Sequence, residues 1–264
     1  MRRIFISDLH LCDRTAAEDF HHTLEFLTFI GHYVLKNADE LYIVGDLFEL
    51  WQAPLQAILV AHKEPISALM KIANKGVKVT YIFGNHDYWF SYFKNPYPIL
   101  FESIVESCSI KGKPAIWAEH GHAYDMHNRT GAWSGKMITA IGGILERIVD
   151  PDIDQKALEA LKEIHENFKK IISFIPPTDK NYPGDKSEYD EAAKEKLTKE
   201  DYDVVIFGHT HEPKIEKFGE GKIYANTGSW VVDEPTFVEV TDNEVCLYKW
   251  VKGGIELKDK VIIR

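Results

Sequence analysis

The sequence predicts an α/β fold in which βα units open the chain and short antiparallel strands close it. Two observations carry that expectation. Over the first third of the chain, short apolar runs of strand type alternate with segments of helical period long enough to cross over a sheet. Beyond about residue 214 the helical period is gone, and strand-like runs at 222–225, 236–240, 244–250 and 254–263 follow one another. A third observation joins fold to chemistry: five apolar runs each end in a polar cluster holding His, Asp or Asn.

Ile4-Phe5-Ile6-Ser7 leads to Asp8 and His10, and Leu41-Tyr42-Ile43-Val44-Gly45 leads to Asp46. Val79-Thr80-Tyr81-Ile82-Phe83 leads to Gly84-Asn85-His86-Asp87. Ala115-Ile116-Trp117-Ala118 leads to Glu119-His120-Gly121-His122, and Val204-Val205-Ile206-Phe207 leads to Gly208-His209-Thr210-His211. Each reads as a buried strand that delivers ligands from its end. The helical crossovers are expected at about residues 16–35 and 55–73.

The stretch 125–201 carries no such strand unit. It reads as helical pieces, apolar at 138–148, amphipathic at 155–174 and charged at 187–197, broken by Pro151, Pro176, Pro177 and Pro183. A block of this kind between two ligand-bearing strands is expected to be an insertion beside the site, within one domain of residues 1–264. Its apolar run around 137–148 fits a lid, a dimer contact or an ordinary buried helix, and peripheral contact with a membrane is a further option.

A chain of 264 residues, 45% hydrophobic, is long enough for a sizeable core. Met1-Arg2-Arg3 runs straight into Ile4-Phe5-Ile6 without the long apolar segment of a signal peptide, and no stretch nears the roughly 18 apolar residues of a membrane span. A cytoplasmic location is therefore expected. Cys12, Cys108 and Cys246, odd in number and far apart, suit a reducing compartment better than a disulfide framework. The formal charge of −10 speaks against general nucleic-acid binding, which rests on clustered Lys and Arg. An acidic protein that binds an anion needs local positive charge, and divalent cations are a compact source of it.

Six of the twelve histidines, His10, His86, His120, His122, His209 and His211, fall inside the strand-end clusters. A single loop histidine is usually only hydrogen-bonded in place, but five coincident clusters point to a site. Imidazole favours zinc, iron, manganese or nickel, and carboxylate and amide oxygens accept the harder members of that group, so the donor set suits a dinuclear centre. In Asp8-Leu9-His10 and in His209-Thr210-His211 the outer side chains share one side of an extended segment. Asp46, at the end of a neighbouring strand, can bridge two cations through its two carboxylate oxygens.

Asp8-Leu9-His10, Gly45-Asp46, Gly84-Asn85-His86-Asp87, His120-Gly121-His122 and Gly208-His209-Thr210-His211, in this order over residues 8–211, resemble the signature of the calcineurin-like metallophosphoesterases. The resemblance implies a four-layer fold of two packed sheets flanked by helices. It also implies two divalent or mixed-valence metal ions, manganese, iron or zinc. One would be held by Asp8, His10, Asp46 and His211, the other by Asp46, Asn85, His120 and His209. The catalytic group is expected in Asn85-His86-Asp87, with His86 placed to stabilise phosphoryl charge or protonate the leaving group, and packing at the metal site as its plainer alternative. His122 and Asp87 are expected behind the ligands, with substrate contact a second option for His122. Two cations about 3.5–4 Å apart can clamp a phosphoryl oxygen and lower the pKa of a shared water towards about 7, so in-line attack by a bridging hydroxide is expected.

Ser7-Asp8-Leu9-His10-Leu11, Gly45-Asp46-Leu47-Phe48-Glu49-Leu50-Trp51 and Asn226-Thr227-Gly228-Ser229-Trp230 further resemble the branch containing the UDP-2,3-diacylglucosamine pyrophosphohydrolases of lipid A synthesis. That resemblance implies cleavage of a UDP-sugar pyrophosphate into UMP and a lipid phosphate, with a helical insertion receiving the acyl chains. The branch commonly carries arginine at the position of His86 and aspartate at that of His122. The substrate is accordingly expected to be a lipid-linked UDP-sugar or another phosphorylated small molecule, cleaved as a phosphomonoester or phosphodiester. Trp51, Tyr88, Trp89, Phe90, Trp133 and Trp230 are expected as a group to give the pocket a partly apolar lining, with loop-core packing the better reading for each one singly. A catalytically silent, metal-bound scaffold is the alternative from another class, and the complete ligand set together with His86 speaks against it.

Overall fold

Alternate residues of each central strand face different cores, so the strands read as continuous apolar runs and not as apolar on one side only. The computed structural model describes residues 1–14, 20–88, 101–124, 186–252 and 254–263. Seven strands form one sheet in the order β12–β11–β10–β1–β2–β3–β4. Of these, β1 (Arg3–Ile6), β2 (Glu40–Val44), β3 (Lys78–Ile82) and β4 (Ser103–Val105) are mutually parallel. The others, β10 (Thr236–Val240), β11 (Glu244–Val251) and β12 (Gly254–Ile262), add on antiparallel. The second sheet runs β5–β6–β7–β9–β8. In it β6 (Ile116–Glu119), β7 (Val204–Phe207) and β9 (Ile223–Asn226) are parallel, and the edges β5 (Ser107–Ile110) and β8 (Lys214–Lys217) are antiparallel.

The two-residue period sorts side chains into three cores. Phe5, Val44, Ile82 and Val238 of the first sheet share a buried cluster with Ile116, Ala118, Ile206 and Ala225 of the second. One residue along, Ile4, Ile6, Ile43 and Tyr81 face the other way and join Phe26, Phe29, Ile30, Leu69 and Ile72. These come from the helix Thr23–Thr28, its π-helical continuation Phe29–Val34, and the helix Lys63–Ala73. On the opposite side Val205, Phe207 and Tyr224 pack with Tyr189, Ala193 and Leu197 of the helix Lys186–Lys199. Helix, sheet, sheet, helix is the four-layer arrangement that the motif resemblance implies.

Several expectations are corrected. The crossover at 55–73 is two helices, Leu55–Ala61 and Lys63–Ala73, meeting at His62 with φ −119° and ψ 35°. Pro65 explains the break, since it has no N–H for the Ala61 carbonyl and its ring would clash there in a continuous helix. β4, β5 and β8 were not expected, because edge strands are half-exposed and need no long apolar run. The closing part of the chain is not wholly antiparallel either, as β9 pairs parallel with β7.

The chain divides into two units, Met1–Asp125 with Asp185–Arg264, and Met126–Gly184. The helix Lys186–Lys199, read from sequence as part of the 125–201 insertion, belongs to the first unit, because Tyr189, Ala193 and Leu197 line one face and bury there. The rest of that segment, with the lid, dimer and membrane readings of 137–148, lies outside the described residues, as do Trp89, Phe90 and Trp133. Among the described residues no helix is long and apolar enough to cross a membrane.

Phe29 centres an aromatic cluster, with ring centroids 4.9 Å from Trp230, 4.9 Å from Phe237 and 5.3 Å from Trp250. Phe29→Ala is expected to lower the free energy of unfolding by about 3–5 kcal/mol, the lost transfer energy plus a cavity that stiff neighbours cannot fill. Urea unfolding measures it, and a loss below about 1 kcal/mol would show that the cluster collapses into the gap.

Candidate metal centre

The loops that carry the candidate ligands come from both sheets and meet at one seam. Asp8 and His10 follow β1, Asp46 follows β2, and Asn85, His86 and Asp87 follow β3, all at carboxyl ends of parallel strands. From the second sheet, His120 follows β6, and His209 and His211 follow β7. The turns are tight: φ is 54° at Asp8, 45° at His10, 51° at Asp46, 68° at His209 and 56° at His211. Left-handed backbone at a non-glycine residue costs about 1–3 kcal/mol and persists only where the surroundings enforce it. Here Asp8 N–H donates to the Gly45 carbonyl at 3.1 Å and His10 N–H to the Asp46 carbonyl at 2.9 Å. Gly45 has φ +89°, and a Cβ there would overlap the His120 imidazole, so its place beside Asp46 is a close approach as well as a turn.

Three donors, Asp8, His10 and His211, lie together, and Asp46, His120 and His209 form a second group; within each, the donor atoms lie within 4.8 Å of one another. Asp8 Oδ1 is 3.2 Å from His211 Nε2 and 3.7 Å from His10 Nε2. Asp46 Oδ2 is 3.0 Å from His120 Nε2 and 3.8 Å from His10 Nε2, so this one oxygen faces both groups. Asp46 Oδ1, the other oxygen of the expected bridge, accepts the His86 N–H at 3.0 Å.

Asp8 Oδ1, His10 Nε2, Asn85 Oδ1 and His120 Nε2 are all buried and make no hydrogen bond. Four such atoms at one seam are expensive unless something binds them, and carboxylate, imidazole and amide donors together fit divalent cations. The electrostatics agree. Burial would raise Asp8 and Asp46, yet His211 and His120 beside the first, and His120 and His86 beside the second, hold both carboxyls well below the usual range. Burial would lower His120, but Asp46 and Asp8 lift it to about 9. Burial opposes His10 too, and the carboxylates of Asp8, Glu49 and Asp46 around it raise it well above the ordinary histidine value. The site calls for positive charge beside two buried carboxylates.

The rings are aimed from behind. His120 Nδ1 lies 2.8 Å from the Val44 carbonyl, which fixes Nδ1 as the donor and turns Nε2 to the cluster. His10 Nδ1 lies 3.1 Å from Glu49 Oε2, with the same result. The Glu49 oxygen is also 2.6 Å from His86 Nδ1, and Trp51 stacks on the His86 ring at 4.0 Å and 24°. Burial would raise Glu49, but His86 and His10 bring its carboxyl down to about 2. Sequence reading gave Glu49 no role; the available signal was an acid three residues past Asp46 in a buried turn.

His122 sits near His120 and His209, with centroids 5.6 Å and 6.4 Å away. Burial, and then the charge of those two rings, hold it down to about 3. Asp87, expected both in the catalytic group and behind the ligands, is turned into the loops. Its carboxylate accepts N–H bonds from Leu47 at 2.7 Å, Phe48 at 3.3 Å and Gly84 at 2.6 Å, and the Tyr81 hydroxyl. It locks the Asp46 loop to the Asn85 loop. Trp230 takes the packing role, a fully buried core residue against Phe26 and Phe29. Tyr88 packs on Phe83, which leaves Trp51, 41% exposed, as the described aromatic of that set beside the site.

The model of the family described as calcineurin-like phosphoesterase matches residues 1–213. The chain belongs to the calcineurin-like phosphoesterases. A UDP-2,3-diacylglucosamine hydrolase from Escherichia coli is 39% identical over 93 residues, covering 33% of this chain and 34% of that protein. One from Tolumonas auensis is 32% identical over 148 residues, covering 50% and 54%. The chain thus spans between a third and about half of the length of these curated relatives. Among solved structures, a dimetal phosphatase from Danio rerio aligns with a TM-score of 0.49 at 12% identity, covering 100% of this chain and 98% of that one. Vacuolar protein sorting 29 from Cryptosporidium parvum aligns with a TM-score of 0.49 at 15% identity, covering 99% and 97%. The two donor groups described above are of the kind divalent cations need.

Asp87→Asn tests the clamp. An amide nitrogen would face at least one N–H donor where a carboxylate oxygen now accepts, so a loss of about 1–3 kcal/mol in unfolding free energy is expected. Urea unfolding in the presence of a chelator reads it, and an unchanged midpoint would remove the clamp role.

Proposed function

We propose that Asp8, His10, Asp46 and His211 hold one divalent cation and that Asp46, Asn85, His120 and His209 hold a second. The observation that carries this reading is the pair of donor groups on either side of Asp46, with buried donor atoms that make no hydrogen bond. Two cations bound there supply Lewis-acid polarisation of a phosphoryl oxygen and a nucleophile at neutral pH. The protein's own residues do the rest. Glu49 and the Val44 carbonyl aim His10 and His120, and Asp87 keeps the Asp46 and Asn85 loops in register. His86, its Nδ1 engaged by Glu49, leaves Nε2 to stabilise phosphoryl charge or deliver a proton to the leaving oxygen. Trp51 stacked on the ring keeps it from turning.

For the substrate, a lipid-linked UDP-sugar pyrophosphate is the first reading, supported by the relatives named for UDP-2,3-diacylglucosamine and by the Gly45 to Trp51 and Asn226 to Trp230 motifs. Such a substrate would bring a cytoplasmic protein to a membrane surface. A phosphomonoester or phosphodiester of another small molecule is the second reading. The His86–Glu49 pair favours it, because imidazole can give up a proton to a poor leaving group and the arginine usual in the lipid branch cannot.

Phosphorus NMR of the products from UDP-2,3-diacylglucosamine, a simple phosphodiester and a phosphomonoester tests the two readings with manganese-loaded enzyme. UMP released from the first alone supports the lipid reading, and turnover of the simple esters alone supports the other. Elemental analysis after manganese loading is expected to find two ions per chain; one or none would count against the dinuclear centre. His86→Ala is expected to cut turnover by about a hundredfold or more with both ions retained. Loss of an ion in this variant would move His86 into the ligand set, and full activity would remove it from the mechanism.

A further inference from the structure

The two carboxylate oxygens of Asp8 have opposite surroundings. Oδ1 is buried, makes no hydrogen bond, and faces His211 and His10. Oδ2 is occupied by the protein: it accepts from the Ser7 hydroxyl and from the His209 N–H at 3.0 Å. Ser7 is itself fully buried, with Oγ 2.6 Å from Thr227 Oγ1 and 3.0 Å from the Gly228 carbonyl. A hydroxyl carries one proton, so Ser7 can satisfy either Asp8 or Gly228, and Thr227 either Ser7 or the Phe207 carbonyl at 3.3 Å. An ionised carboxylate makes the stronger, charge-assisted bond, which sets the direction from Thr227 to Ser7 to Asp8.

The rest of the loop holds this relay in place. Thr236 Oγ1 donates to the Thr227 carbonyl at 2.7 Å, Ser229 Oγ to the Asp8 carbonyl at 3.1 Å, and Asn226 Nδ2 to the Gly208 carbonyl at 2.7 Å. A Cβ on Gly208 would come 2.7 Å from Ser7 Oγ and 2.9 Å from Asp8 Oδ2, so the backbone closes directly over the pair. The segment Asn226-Thr227-Gly228-Ser229 therefore ties the end of β9 to the ends of β1 and β7 around one oxygen atom.

We propose that Ser7, backed by Thr227, is a positioning residue that ties up Oδ2 of Asp8, so that this carboxylate offers a cation the single oxygen Oδ1. The proposal rests on the reading of Asp8 as a metal ligand. A one-oxygen ligand keeps a coordination position open, and a carboxylate freed to bind through both oxygens would fill it. Ser7 acts through Asp8 and touches no reacting atom.

The test titrates metal-free protein of the full chain with cobalt(II) and records its visible absorption. Ser7→Ala is expected to weaken cobalt binding by about 10–100-fold, the usual effect of losing a group that orients a ligand. Its absorption should also weaken, because added coordination lowers the intensity of the cobalt bands. Ser7→Thr, which keeps the hydroxyl, should bind and absorb as the parent does. Thr227→Val should shift both readouts in the direction of Ser7→Ala by a smaller amount. Equal affinity and spectrum in the parent and Ser7→Ala would overturn the proposal, as would a Ser7→Thr protein as weak as Ser7→Ala. If Ser7→Ala does not fold, Thr227→Val decides, and parent-like binding and spectrum there overturn it. Failure of the parent to bind cobalt would instead sink the metal reading, and this proposal with it.

Discussion

Two carboxylates withdrawn from water side by side, Asp8 at 0% and Asp46 at 1% exposure, set the terms for the rest of the molecule. An ionised group in that position costs several kcal/mol unless positive charge and hydrogen bonds match it. The match is divided between the sheets. The first sheet supplies both carboxylates, and the second supplies His120, His209 and His211. Neither sheet can build the centre alone, so the core between them, where Phe5 and Val44 share a cluster with Ile116 and Ile206, also fixes the site geometry. Cations that bind only the docked arrangement stabilise it in turn, by about 2.7 kcal/mol at a hundred times the dissociation constant.

Three buried aspartates in this region show how donor supply assigns roles to one residue type. Asp87 meets three backbone N–H groups and a tyrosine hydroxyl, and it becomes a structural clamp. Asp46 gives one oxygen to the His86 N–H and keeps the other toward both histidine groups. Asp8 is divided the same way, with Ser7 and the His209 N–H on one oxygen and no hydrogen bond on the other, which faces His211 and His10. The oxygen that the protein leaves without a hydrogen bond is the one open to a cation.

That distinction also marks where sequence reading stops. The five strand-end clusters were legible because a buried parallel strand must be apolar along its length, so a sudden run of His, Asp and Asn at its end stands out. Direction was not legible. Nothing in Gly84-Asn85-His86-Asp87 says that Asp87 turns back under the loops while Asn85 keeps a carbonyl oxygen free, since both follow the same strand. Glu49 passed without a role because its two partners, His10 and His86, arrive from other strands. Trp230 read as packing singly and as pocket lining within its group, and the loop that positions Thr227 and Ser229 turns the indole inward onto Phe26 and Phe29. The edge strands β4, β5 and β8 escaped for the converse reason: half-exposed strands lack the long apolar run that reveals the buried ones.

The His86–Glu49 pair bears most directly on which ester the site can open. A guanidinium at this position stabilises developing charge and cannot surrender a proton, which suffices when the leaving group is a phosphate that departs as a stable anion. A sugar or lipid alkoxide is a far poorer leaving group and gains from a proton delivered as the bond breaks. An imidazole held by a buried carboxylate 2.6 Å away can both stabilise charge and deliver that proton. On the proposed reading of His86 as the acid, the site is equipped for a wider range of leaving groups than pyrophosphate cleavage requires. Trp51, stacked on the same ring and partly exposed, offers a flat apolar surface beside it. With His86 read as the proposed acid, an aromatic surface beside it suits a substrate whose leaving portion carries a ring or an acyl chain, and the segment from Asp46 to Trp51 supports both, with Glu49 holding the His86 ring and Trp51 stacked on it.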